Sequence, residues 1–75
     1  MEYNTDNSGN NFLEVPLGWD SINAKLRLTF IEDLATIRLN KIDENNHVYP
    51  GPEIELQYTT ELIEALIKIY NDNKE

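Results

Sequence analysis

Seventy-five residues make one domain, near the lower end of what folds alone without disulfides, metals or association. There is no cysteine, which removes disulfides and thiolate metal or redox chemistry. Fourteen acids against six bases give a net charge of -8, a balance that repels nucleic acid and anionic membranes and suits either plain solubility or a basic partner.

In chain order, Met1 to Asn11 is polar and rich in asparagine, so a flexible acidic tail over residues 1–11 is expected. It has neither the basic start nor the apolar core of a signal peptide. Asn4, Asp6, Ser8 and Gly9 resemble the opening of a calcium loop. The match fails because Asn stands where Asp is wanted, Glu14 falls one residue short and no helices flank the segment.

Residues 12–75 read as a single ββββα domain. Phe12 to Leu17 alternates loosely and tolerates Pro16 as an edge strand. Gly18 to Asn23 reads as a turn, in which Trp19 either caps a small core or offers an aromatic anchor to a partner. Ala24 to Ile31 is a strand with Leu26, Leu28 and Phe30 on one side and Lys25, Arg27 and Thr29 on the other. Glu32-Asp33 then makes a two-residue turn, without the glycine such turns favour. Leu34 to Ile42 is the next strand, with Ala35, Ile37 and Leu39 on the apolar side. Asp43 to Pro52 is dense in turn residues and reads as a loop. Glu53 to Tyr58 closes the sheet with Ile54, Leu56 and Tyr58 inward.

Thr59 or Thr60 is expected to cap a final helix reaching Glu75. On it Leu62, Ile63, Leu66, Ile67, Ile69 and Tyr70 share one side, and Glu61, Glu64, Lys68 and Asn71 the other. Glu64 and Lys68 stand in the favoured i, i+4 order. A lone helix of that length is marginal in water, so the sheet must supply its partner surface.

The two-residue turn sets Phe30 opposite Ala35, Leu28 opposite Ile37 and Leu26 opposite Leu39. Continued outward, Leu39 meets Ile54 and Leu13 meets Leu28, so every inward residue meets another. The outer face then lines up Glu14, Arg27, Arg38 and Glu55 as a solvated charged row. The expected fold is α+β: a small two-layer domain, an antiparallel β-meander of three to four strands with one C-terminal amphipathic helix packed on one face.

Catalytic chemistry is sparse. His47 is the only histidine, and beside Asp43 and Glu44 it lacks the spacing of a metal site. Ser8 and Ser21 have no neighbouring base, and Gly9, Gly18 and Gly51 make no phosphate loop. No catalytic, cofactor or metal residue is assigned. Lys25, Arg27, Arg38 and Lys41 lack interleaved aromatics, so no direct nucleic-acid binding is expected. No apolar run approaches the ~20 residues of a membrane span, and a cytoplasmic location is expected.

Protein binding remains. Ile31, Leu34 and Ile42 have outward parity at strand ends beside Glu32, Asp33, Asp43 and Glu44, and would form an acid-rimmed apolar patch; inward rotation of the three is the competing reading. With Trp19 they are the candidate partner residues. The function these features suggest is a small acidic, non-enzymatic protein-binding module. Its expected form is a phage-type stoichiometric inhibitor of a host or defence protein that handles nucleic acid, meeting a basic surface. The alternative is a self-associating structural or assembly subunit, a homo-oligomer.

Overall fold

Alternating apolar and polar residues across the middle of the chain build an antiparallel sheet, and the 3.6-residue pattern at its end builds a helix. The computed structural model describes residues 1–18 and 23–75. Its strands are β1 (Asn4–Thr5), β2 (Asn11–Pro16), β3 (Lys25–Ile31), β4 (Thr36–Ile42), β5 (Val48–Tyr49) and β6 (Glu53–Glu55), followed by the helix α1 (Thr59–Asn73). The strands lie in the order β1-β2-β3-β4, with β5 and β6 sharing the far edge of β4. The protein is a small α+β domain of the expected class, with a sheet of more strands than the three to four the pattern suggests.

Two short strands account for the difference. Asn4 and Thr5, inside the segment expected to be a tail, pair with Phe12 and Asn11. The intervening turn is held by the Asp6 carboxylate, which accepts N–H bonds from Ser8 and Asn10, each at 2.9 Å. Gly9 there takes φ +85, a conformation that glycine adopts without a Cβ penalty. Val48 and Tyr49, inside the expected loop, pair with Ile42 and Lys41. The last strand is correspondingly shorter: Leu56–Tyr58 is a 3-10 turn leading into α1.

Register follows from the turns. Leu13 faces Leu28 and Val15 faces Leu26, as the alternation requires. Between β3 and β4 the pairing is slipped by two residues from the expected one, with Phe30 opposite Ile37 and Leu28 opposite Leu39. The cause is the connection, which is a four-residue loop in place of a two-residue turn. Glu32–Leu34 forms a 3-10 turn and only Ala35 goes left-handed, at φ 47. A two-residue primed turn puts one or both central residues there, and neither Glu nor Asp enters that region as readily as glycine. A slip of two conserves parity, so the apolar face survives it. It also separates the expected Arg27-Arg38 pair: Arg27 stands opposite Asn40, and Arg38 opposite Thr29 and Glu53.

α1 starts without the expected threonine cap. Tyr58 occupies the cap position, and the Thr59 hydroxyl turns back toward the Glu55 carbonyl at 3.4 Å. The preceding 3-10 turn already satisfies the Thr59 N–H through the Leu56 carbonyl, so the first free donor needs less help. Lys68 pairs with Asp72 at 2.9 Å, one turn further on from the expected Glu64.

The packing of α1 differs most from expectation. Its main neighbour is the 3-10 turn, and none of its residues is buried. Thr59 and Leu62 are half-covered, but Ile63 is 50% exposed and Tyr70 65%. The two layers therefore do not close on each other within one chain. Among the described residues Ala24 and Ile42 are the only buried apolar side chains. The chain exposes 6136 Å², where a compact monomer of 8.7 kDa exposes about 4,700 Å². Its radius of gyration is 13.5 Å against about 11 Å for a compact domain of this length.

Candidate interaction surface

Strand alternation sends Leu13 from β2, Leu28 and Phe30 from β3, and Ile37 from β4 to the same side of the sheet. Leu56 from the 3-10 turn and Tyr3 from the N-terminal hairpin extend that side, and together the six line an open trough of about 320 Å³. Among the described residues none closes it over, and Leu13, Leu28, Phe30 and Ile37 are left half-buried. The second apolar surface is the stripe on α1, where Ile63, Leu66, Ile67, Ile69 and Tyr70 are each at least half exposed. Exposed apolar surfaces of this extent are unusual on one small chain.

The opposite face of the sheet is closed by its own charges. Arg27 donates from Nε to Glu14 Oε2 at 2.8 Å, with Nη2 2.8 Å from the same oxygen, and its guanidinium lies 4.4 Å from the centre of the Phe12 ring. Lys25 approaches the other Glu14 oxygen at 3.7 Å. Arg38 donates to Glu53 at 2.7 Å. Thr29, opposite both Phe12 and Arg38, is buried. Lys25, Arg27 and Arg38 on this face, and Lys68 on the helix, are thus held against carboxylates.

The residues singled out as an acid-rimmed patch fall into two groups. Ile31, Glu32, Asp33 and Leu34 lie at the β3–β4 hairpin, where Leu34 is 61% exposed. Ile42, Asp43 and Glu44 lie at the other end of β4, about 20 Å away along a seven-residue strand. They do not form one patch. Ile42, moreover, is only 3% exposed: it keeps its parity, opposite Lys25 and Val48 on the charged face, and is covered there. Trp19 lies outside the described residues.

Asp43 organises the loop that follows it. Its carboxylate accepts N–H bonds from Asn45 and His47, each at 2.9 Å, and an O–H bond from Tyr49 at 3.1 Å. The His47 N–H bond, foremost among these, holds the Asp43 carboxyl below its ordinary value of 3.8. The His47 ring packs edge-on against Tyr49 with centroids 4.4 Å apart. The histidine and its neighbouring acid are therefore used by the turn. Among the described residues no group of three His, Cys, Asp or Glu side chains is placed to hold a metal ion.

The sequence pattern marks neither apolar surface as a site, because sheet alternation and helical stripe read as covering each other. The alternation and the helical stripe are legible in the sequence, and the exposure of the stripe is not. Tyr3 sits in a polar stretch that carries no apolar periodicity; the Asp-Asn-Ser-Gly run beside it is the turn signal that marks a hairpin there.

Compared with known proteins, the chain matches no family model, no curated protein and no solved structure. Among the described residues no helix is long and apolar enough to cross a membrane.

Proposed function

We propose that this chain is a small, acidic, non-enzymatic protein-binding module. The observation that carries the reading is the open trough around Leu28, Phe30, Ile37 and Leu56 together with an exposed apolar stripe on a helix that does not line it. A chain at the lower size limit of independent folding gains most of its stability by burying such surfaces, and protein association is the means. Its action is stoichiometric: it occupies a surface. The net charge of -8 supports a partner with a basic surface, such as a host or defence protein that handles nucleic acid and that this module inhibits.

The test is an affinity pull-down of the tagged chain from lysate of its own organism, washed at low and at high salt. Capture of one nucleic-acid-handling protein that is released at high salt, and inhibition of that protein by the purified chain, is the expected result. A partner held equally well at high salt removes the charge argument and leaves only the apolar surfaces. The second reading, a self-associating assembly subunit, is favoured by one observation in particular. An open apolar trough on the sheet and an exposed apolar stripe on the helix stand on the same chain.

A further inference from the structure

We infer that the occupant of the trough is a second copy of this chain: α1 of each copy lies across the apolar sheet face of the other, exchanged mutually about a two-fold axis. The inference rests on reading the apolar surfaces as interaction surfaces, and it names what binds them.

The dimensions fit. α1 has 15 residues and is about 22 Å long. β3 and β4, with seven residues each, present a face about 23 Å long. The helical stripe supplies what the trough lacks, a ridge of large aliphatic side chains, Ile63, Leu66, Ile67 and Ile69, with Tyr70 beside them as an aromatic whose hydroxyl needs a polar partner or the rim.

The area fits as well. Each chain exposes about 1,400 Å² beyond a compact monomer of its mass, from 6136 Å² against about 4,700 Å². Burying that excess on two copies removes about 2,800 Å², which lies within the range of obligate homodimers.

The connection explains why exchange wins over folding back. Only three residues, Leu56–Tyr58, separate β6 from α1, and they form a 3-10 turn continuous with the helix. Glu55 before it is extended, and the Leu56 N–H is bonded to the Ala35 carbonyl at 2.8 Å, pinning the turn to the β3–β4 hairpin. Returning α1 onto its own sheet requires opening that turn, whereas a second copy receives the helix with the turn intact. Short hinges of this kind are where helices and strands are exchanged between copies.

Charge gives the association a distinctive sign. Two copies at -8 each repel, so added salt screens the repulsion and strengthens the dimer.

The absence of cysteine allows a direct experiment on the full chain. Sedimentation equilibrium is measured at micromolar concentration in low and high salt. In parallel, an Ile37→Cys chain is mixed with a size-tagged Leu66→Cys chain under oxidation, with far-UV circular dichroism showing that both are folded. The expected results are a mass twice that of the 8.7 kDa chain, tighter association at high salt and an efficient mixed disulfide between the two variants. Leu66→Glu raises the dimer Kd by at least about tenfold, since a carboxylate enters an apolar interface.

A monomer at every concentration overturns the inference. So do links only between two Leu66→Cys chains, which place helix against helix. An internal link in a monomeric Ile37→Cys/Leu66→Cys chain also overturns it, by showing α1 folded onto its own sheet. The inference and the broader reading fail separately. A monomer that captures and inhibits a foreign protein sinks the exchange and keeps the binding module. A dimer that captures nothing foreign keeps the exchange and removes the inhibitor.

Discussion

Replacing Gly51 with alanine bears on how the sheet ends. β5 and β6 share one edge of β4, and the chain crosses between them by pressing its backbone onto that strand. A Cβ added at Gly51 overlaps the Leu39 carbonyl oxygen and lies 3.0 Å from the carbonyl carbon. Both are backbone atoms, and Leu39 is fixed from its other side by pairing with Leu28. The crossing must therefore retreat. Doing so breaks the Leu39 N–H bond to the Pro52 carbonyl, now 3.0 Å, and strains the Asn40 amide bond to the Tyr49 carbonyl at 2.9 Å. One lost hydrogen bond is worth about 0.5–1.5 kcal/mol. The overpacking adds about 1–3 kcal/mol. The sum is about 2–4 kcal/mol, which for a domain of this size lowers Tm by roughly 10–30 °C. Thermal melts followed by far-UV circular dichroism, at one fixed chain concentration, measure it. Gly9→Asn is the control: nothing lies within 4 Å of a Cβ there, and asparagine tolerates positive φ, so the melt should move by only a few degrees. A Gly51→Ala melt as close to the parent as that control would show that the edge of β4 is not packed as described.

Three further outcomes follow from the sheet and its loops. Ala35→Gly relieves a left-handed alanine that costs about 1–2 kcal/mol, less the added freedom of glycine in the unfolded chain, so Tm should rise by about 2–4 °C; a fall would remove the left-handed assignment at φ 47. Arg27→Ala should lower the unfolding free energy from urea titration more than Arg38→Ala, by about 1–2 against less than about 1 kcal/mol. Arg27 is the less exposed of the two and covers Phe12 besides pairing with Glu14; equal losses would remove the distinction. The Asp43 carboxyl is held below its ordinary value, so its contribution is present above pH 3.8 and disappears as pH falls through the lower folded value. The His47 amide resonance should report that titration by NMR with a midpoint below 3.8, and Asp43→Asn should abolish it.

Local chemistry was legible wherever a single element decided it. Alternation alone assigned Leu13, Leu28, Phe30 and Ile37 to one face and Glu14 and Arg27 to the other, and it paired Leu13 with Leu28 correctly. Register between β3 and β4 needed the length of the connection, and the run Ile31 to Leu34 offers no glycine to announce where the chain turns left-handed. Alanine does so at position 35, a site chosen by the pairing around it and not by its own preference. The β5 strand was hidden because Val48 and Tyr49 are only two residues among asparagines and prolines, and their pairing depends on Gly51 letting the chain approach β4. The position of α1 was the least legible. Amphipathicity states that Ile63, Leu66 and Tyr70 need an apolar partner, and it carries no information on which chain supplies one.

That last distinction turns on how acidity and apolar surface divide the work. Glu14 and Glu53 are already used by Arg27, Lys25 and Arg38, so the remaining negative charge sits largely at the hairpin, in the loops and along the polar side of the helix. None of those carboxylates lines the trough. An attraction to a basic protein and an association of two like copies therefore draw on different parts of the molecule, and salt moves them in opposite directions. If both occur, they need not compete: exchange of α1 covers the apolar faces and leaves the hairpin acids Glu32 and Asp33 outside the trough on each copy. A dimer that tightens with salt while releasing a basic partner would be the joint signature. The Leu66→Glu chain would then separate the two, losing self-association while keeping whatever binds through Glu32 and Asp33.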